Sequence, residues 1–526
     1  MKILLLILFS TVAIAQQTDF YVDGDNAGLG DSTGVDWTNA WHRFADIEWD
    51  SLGAGDTLFI SGSTDSVQYS EQMIVGGEGS WNNPLVIIAG KYSSSPSGHS
   101  GRAIIDGDST RAIGLWIDNK YWVTVKGLEI RHHYGGGNAG LHLHHLTGRI
   151  VIDSCDIYEN AGFGLIVQPS DPPGGGGQQS DISGEDSTEL AWYIEVKNCR
   201  FWTYANNSNP ATCDDLIQMK IVKGVRVHDN FFWNRNKQIG VDPGSHAHQD
   251  GIQVYISRDV RIWNNVFVFD SAALGHPILI GGQTGASNLD TNIIYNNFIA
   301  HGGDLGAYSL MSIYVQSVTP YLAPTFIYHN TIVAWNGRAD CLMQEEPNAP
   351  YWYTNNLNVR NNIMVQMGTN KGAPPSGAHP VWRAGDRINF VDSVTNNLMW
   401  SYHDGNIWEG DDNTWITAGK TDTLDEPNDW ADWVNNYGGT GVSGNPDFVA
   451  DYYAIRDSSG VGYRLSSDSP AIDAGGTDVQ AFIEDKDLPW TDIEGQTRDN
   501  SPDIGCFEYQ SEGEEVTGST KLILKK

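Results

Sequence analysis

Long apolar runs are missing everywhere beyond the first few residues of this chain, and a membrane-spanning helix needs about 20 consecutive apolar residues. Cysteine is scarce: five in 526 residues, with no C-x-x-C pair, too few and too scattered for a disulfide scaffold. Positive charge is scarce as well. Lysine and arginine number 31 against 65 aspartates and glutamates, a formal charge of −34. Nucleic acid needs a basic footprint on its partner, so no nucleic-acid partner is expected. So many carboxylates keep an exported protein soluble, and a second reading has some of them holding a cation.

Glycine (59) and tryptophan (19) are plentiful, which suits turn-rich β structure with many aromatic surfaces. The single apolar run opens the chain as MKILLLILFSTVAIAQQ. Lys2 is a minimal charged region, Ile3–Phe9 an apolar core, and Ala13-Ile14-Ala15 an A-x-A cleavage site. Residues 1–15 are therefore expected to be a secretory signal peptide, too short to span a bilayer. The rest is expected to be secreted, outside the cell or in the periplasm, as a monomer with no membrane partner.

One sentence is written twice in the middle of the chain. CDDLIQMKIVKGVRVHDNFF (213–232) is followed by QDGIQVYISRDVRIWNNVFV (249–268), which aligns Asp215 with Asp250, Gln218 with Gln253, Lys223 with Arg258 and Asn230 with Asn265. Around this pair a shorter phrase recurs as VTVKGLEI, IVIDSCDI, IEVKNCRF, VRVHDNFF, VRIWNNVF, NIIYNNFI, TFIYHNTI, LNVRNNIM and SVTNNLM. Its marked position is Leu128, Cys155, Cys199, Asn230, Asn265, Asn297, Asn330, Asn362 and Asn397, at intervals of 27 to 44 residues. Strict alternation marks strands, and uneven intervals mark loops of different length on a constant coil. Stacked in parallel about 4.8 Å apart, the asparagines are expected to bond to one another along the axis.

The fold expected is all-β: a single right-handed parallel β-helix with an N-terminal cap helix and long loops, over residues 16–509. Its continuous winding should run from about Thr57 to about Asn397. Thr38–Leu52, in which Trp41, Phe44, Ile47 and Trp49 partly follow helical spacing, should be the helix that caps the open end within residues 16–56. Residues 400–509 should form a closing region over the far end or a groove, and 510–526 a flexible tail. Cys155 and Cys199 fall on adjacent coils, as buried thiols or as a disulfide.

Candidate chemistry gathers at the doubled sentence. In register, Asp215 and Asp250 are expected as exposed residues at matching strand starts on neighbouring coils, with Gln218 and Gln253 pointing outward beside them. His246 and His248 precede Asp250, and His276 opens the next coil. Asp214, Asp215 and Asp250 are expected ligands if calcium is a cofactor. Lys223 and Arg258 lie in basic turns suited to a sugar carboxylate, while Trp233, Trp263 and Tyr255 offer rings for stacking. A second candidate is the histidine group of GLHLHHL (His142, His144, His145), with His132 and His133 one coil earlier. It lacks the spacing of a familiar ligand set, so a polar surface face is the stronger reading.

The opening FYVDGDN…GDTLFIS, the repeated V-x-I-x-N-N-x-F and the closing SPAIDAG…DIEGQTR…DIGCFEY resemble the secreted bacterial β-helix proteins of the pectate-lyase-like superfamily. That resemblance implies polysaccharide lyases, glycoside hydrolases or non-catalytic binders, with an acidic polysaccharide as partner. For a lyase, His248 is the expected base and Arg258, Gln253 or a bound cation neutralises the uronate. Asp214-Asp215, Asp250 and the Gly-His of GHPILIGG also echo galacturonan hydrolases, although the Arg-x-Lys those enzymes carry is missing. Hydrolysis would use Asp215 and Asp250 as acid and base with His276 assisting. Elimination is the first expectation, hydrolysis the second, and sugar binding without cleavage the third.

Overall fold

In the computed structural model, the described residues are 17–25, 32–92, 98–134, 139–145, 147–168, 191–203, 215–234, 250–255, 257–269, 275–281, 291–302, 310–316, 324–334, 339–345, 357–366, 382–384, 389–390, 394–401, 408–410, 415–417, 420–422, 441–443, 446, 448 and 464–509. Three parallel sheets of 12, 12 and 11 strands account for nearly all of the regular structure. The chain visits a first, a second and a third sheet in turn and then returns one rung further along, as in Leu85–Ala89, Arg102–Asp106, Ile113–Asp118 and back to Tyr121–Lys126. This is a right-handed parallel β-helix, the hand that a right-twisted strand and its crossover favour.

Alternation builds the interior. Val123 and Val125 sit under Ile150 and Ile152, then Ile194 and Val196, then Val225 and Val227, all with 0 % exposure. Each such side chain contributes about 1.5–3 kcal/mol on leaving water. Winding begins earlier than Thr57, because Asp19–Val22 already pairs with Thr57–Ile60. It also passes Asn397, since Asn397–Met399 pairs with Gly441–Ser443.

The corner between the first and second sheets explains the Asn-Asn pairs. The residue ahead of the ladder position takes a left-handed backbone, as at Asn198, Asp229, Asn264, Asn296, His329 and Asn361 (φ 52 to 58°). Asparagine and aspartate tolerate this better than most side chains. The next residue turns inward. Nδ2 of Asn230, Asn265, Asn297, Asn330 and Asn362 each donates to Oδ1 of the following ladder asparagine at 2.9–3.0 Å. All six, through Asn397, are buried. At the upstream end, Cys199 N donates to Asn230 Oδ1 at 2.9 Å, and Cys155 N to Cys199 Sγ at 3.3 Å. Cys155 and Cys199 are free thiols.

The cap helix is corrected. Thr38–Leu52 holds two 3₁₀ turns, Phe44–Asp46 and Trp49–Ser51, separated by extended backbone at Ile47. Trp41 bridges to Val22, and the Phe44 and Ala45 amides donate to the Glu71 carboxylate, so the backbone spends its hydrogen bonds outside a helix. The apolar residues that suggested a helix still close the core, with Trp41, Phe44, Ile47 and Leu52 all buried.

Residues 464–509 run along the flank of the coil. Val479, Ile483, Leu488 and Trp490 pack on Ile293, Tyr295 and Tyr328, outside the first sheet. Leu465, Ala471, Ile493, Ile504, Cys506 and Phe507 pack on Val266, Phe298, Val333 and Ile363, outside the second. Between them the buried Arg498 bonds Asn296 Oδ1 and Gly505 O, each at 2.8 Å. These packed groups lie on the first two sheets and leave the outer side of the third to other residues.

Candidate active site

Along the third sheet Ile217, Met219, Ile252 and Val254 fill the core, so Gln218, Lys220, Gln253 and Tyr255 face out. Gln218 is in register with Gln253, Leu279 and Tyr314, and Lys220 with Tyr255 and Gly281. Backbone bonds from Leu216 N to Asp250 O and from Gly251 N to His276 O, both 2.8 Å, carry this register back to the strand starts. Asp215, Asp250 and His276 thus stand one behind another.

Both acids are buried, at 1 % and 0 % exposure, where strand-start residues were expected to be open to water. Hydrogen bonding accounts for the difference. Asp215 Oδ1 accepts from Asp250 N at 3.0 Å and Oδ2 from Gln218 Nε2 at 2.8 Å. Asp250 repeats the arrangement, taking His276 N at 2.7 Å and Gln253 Nε2 at 3.1 Å. Each carboxylate is folded back over its own strand by the glutamine three residues on and pinned by the next coil's backbone. Gln218 Nε2 also donates to Gln253 Oε1, joining the two units. Gln218 Oε1 is buried and has no donor among the described residues.

At the edge of this network the side chains are half-buried: Lys220, Tyr255 and His276. The Tyr255 hydroxyl lies 3.3 Å from Gln253 Nε2. Burial, and then the charges of Asp250 and Asp215, push its phenol pKa up. The His276 ring leans on Tyr314 at 4.9 Å. Behind it His301 is fully buried, edge-on to Phe269 and 3.4 Å from Ser312 Oγ. Burial pushes His301 down to about 3, with His276 adding to the shift.

The remaining sequence candidates lie elsewhere. Lys223 and Arg258 are in register with each other on the first sheet, past the corner, and only the backbone of Arg258 is described. Trp233 is on the second sheet, against the cluster of Phe231, Val266 and Phe298. Trp263 is on the first sheet, stacked on His228 at 4.0 Å. Asp214, His246 and His248 lie outside the described residues. Three neighbours of this network are absent from the sequence candidates. Lys220 was accessible through the same alignment that paired Gln218 with Gln253, since it falls opposite Tyr255. His301 and Tyr314 lie beyond the doubled sentence.

The histidine group occupies the same outer face, upstream. His142 is in register with Trp116 and Ile166, and Ile166 with Gln218. Asp118 Oδ1 lies 2.6 Å from His145 Nδ1 and 3.5 Å from His144 Nδ1, so one carboxylate and two imidazoles converge to within 4.8 Å. Two histidines and a carboxylate are a donor set that suits a divalent transition metal. His132 and His133 do not join them. His132 bridges Glu159 at 2.9 Å and Asp106 at 3.2 Å, while His133 is buried and pushed down to about 4 by that burial.

No family model matches this sequence, and no curated protein does. Among solved structures the chain is similar to the pectate lyase Pel9A, with 12 % identity and TM-score 0.42 over 95 % of this chain and 98 % of that one. It is similar also to the PL6 family alginate lyase AlyGC (11 %, 0.41, over 88 % and 58 %) and to the GH136 lacto-N-biosidase from Eubacterium ramulus (12 %, 0.40, over 81 % and 67 %). At such values the likeness is one of winding, and it brings neither reaction nor substrate to this chain.

Proposed function

We propose that this protein cleaves a uronate-containing polysaccharide by β-elimination on the outer face of the third sheet. The observation that carries the proposal is a layered site. Buried Asp215, Asp250, Gln218 and Gln253 bond to one another, and Lys220, Tyr255 and His276 stand half-exposed at their edge. Elimination needs a base for the proton beside the uronate carboxylate, a positive charge on that carboxylate, and a proton for the leaving oxygen. The His276 imidazole takes the first role and the Lys220 ammonium the second. Tyr255, whose raised pKa keeps it protonated, takes the third. The electron pair left by the proton forms the ring double bond as the glycosidic C–O bond breaks.

Hydrolysis by Asp215 and Asp250 is the second reading. It asks one acid to carry a proton, and both oxygens of each acid already accept N–H hydrogen bonds. For calcium, Asp215, Asp250 and the orphaned Gln218 Oε1 offer oxygen ligands of the right type. A bound ion would supply extra charge neutralisation there. No helix among the described residues is long and apolar enough to cross a membrane. Export through residues 1–15 belongs to the same proposal, because a polysaccharide substrate lies outside the cell.

Incubation with polygalacturonate, alginate and a neutral glucan should release chain ends from an acidic polymer alone. Tyr255→Phe and Lys220→Met should each lower kcat by about 10²-fold while leaving the unfolding midpoint near that of the parent. Full activity in both variants would remove these residues from the reaction.

A further inference from the structure

The first sheet carries a different surface. Tyr121, Gly148 and Trp192 are in register, as are Val123, Ile150 and Ile194. The residue between them on each coil is Trp122, Arg149 and Tyr193, with φ of 60, 56 and 54°. Left-handed backbone is costly for bulky side chains. The same position is left-handed on the next two coils, at Gly224 and Asp259 (φ 81 and 51°), so the turn belongs to the winding, and on these three coils it brings Trp122 and Tyr193 to the guanidinium of Arg149. The Arg149 guanidinium carbon lies 4.3 Å from the Tyr193 ring centre, 4.8 Å from Trp192, 5.3 Å from Trp122 and 5.7 Å from Trp81. Gly148 makes room for this, since a Cβ there would meet the Trp192 indole nitrogen at 2.6 Å.

Two features separate this cluster from internal packing. Trp81 is 64 % and Trp192 38 % exposed, so two of the four exposed large apolar residues among the described ones lie within 5.7 Å of the same guanidinium. Arg149 also has no carboxylate partner among the described residues, and its buried Nε has no hydrogen-bond acceptor there. In a chain with 65 acidic side chains, an arginine ringed by aromatic side chains and without a carboxylate partner among the described residues offers its charge to an incoming anion.

We propose that Trp81, Trp122, Arg149, Trp192 and Tyr193 form a second, non-catalytic binding site for an acidic glycan. The flat C–H faces of the sugar rings stack on the exposed indoles, and a uronate carboxylate meets the guanidinium. The ligand class rests on the function proposed above. The surface lies on a different sheet from Asp215 and Asp250, so it anchors polymer without touching the scissile bond.

Native gels containing polygalacturonate, alginate or neutral galactomannan test this, with turnover of a short uronate oligosaccharide measured in parallel. The parent protein should be retarded by an acidic polymer. Trp81→Ala combined with Trp192→Ala should weaken that retardation about fivefold or more, with oligosaccharide turnover and unfolding midpoint unchanged. Arg149→Met should lose affinity for the acidic polymers, and a circular dichroism melt will show whether it folds as the parent does. If it does not, Arg149→Lys, which retains charge but loses the planar fork, serves instead and should be intermediate. Equal retardation of the parent and the double tryptophan variant would overturn the site, as would a parent that no acidic polymer retards. Stronger retardation by galactomannan would overturn the acidic assignment. Retardation that depends on the tryptophans in a protein that cleaves nothing would support the anchor while refuting the proposed reaction.

Discussion

Asp250 shows at a single residue how burial changes the meaning of a carboxylate. Both its oxygens accept N–H bonds, from His276 and Gln253, and the side chain has 0 % exposure. Asparagine there would turn an NH₂ group against one of those donors. Asp250→Asn should therefore lose about 2 kcal/mol of stability in urea as well as activity. A variant as stable as the parent would contradict the network. His301 makes a second case, through pH. Burial holds it down to about 3, against 6.5 for an open imidazole. Its contribution is present above pH 6.5 and is lost as pH falls toward about 3, because the unfolded chain takes up a proton that the folded one refuses. The His301→Gln variant should accordingly lose less stability than the parent between pH 7 and pH 4. Parallel losses in urea melts across that range would contradict the assignment.

Single elements show what was legible and what was not. The ladder could be read from the sequence because each coil repeats the same small inward residue after the same left-handed turn. Its upstream limit is set by Cys199, whose amide uses one acceptor direction of Asn230 Oδ1, while the ladder asparagines give that oxygen's counterpart two donors. Cys199→Asn should add the missing Nδ2 donor and raise the unfolding midpoint, and a fall of more than a few degrees would show that the site cannot take the larger amide. Thr38–Leu52 was misread for a physical reason. Apolar residues at helical intervals also suit a chain that drapes over the end of a core, and Glu71 and Val22 draw its backbone bonds away from a helix. The register of Asp215, Gln218, Asp250 and Gln253 was likewise visible in the doubled sentence. Their burial was not, because alternation specifies which way a side chain points and says nothing of what hydrogen-bonds back over it.

At the scale of the whole molecule, the three outer faces of the coil carry different groups of residues. The first and second sheets receive the packed residues of 464–509, with Arg498 buried between them. The third carries the histidine group, then the Asp-Gln network, along one face. The proposed cleavage site lies on the third sheet and the proposed anchor on the first. The most direct test is to follow ultraviolet absorbance and new chain ends together while the protein acts on polygalacturonate and alginate. Elimination leaves an unsaturated uronyl end, so absorbance should rise in step with chain ends on one of these polymers. New chain ends without any rise in absorbance would mean hydrolysis and would contradict the account.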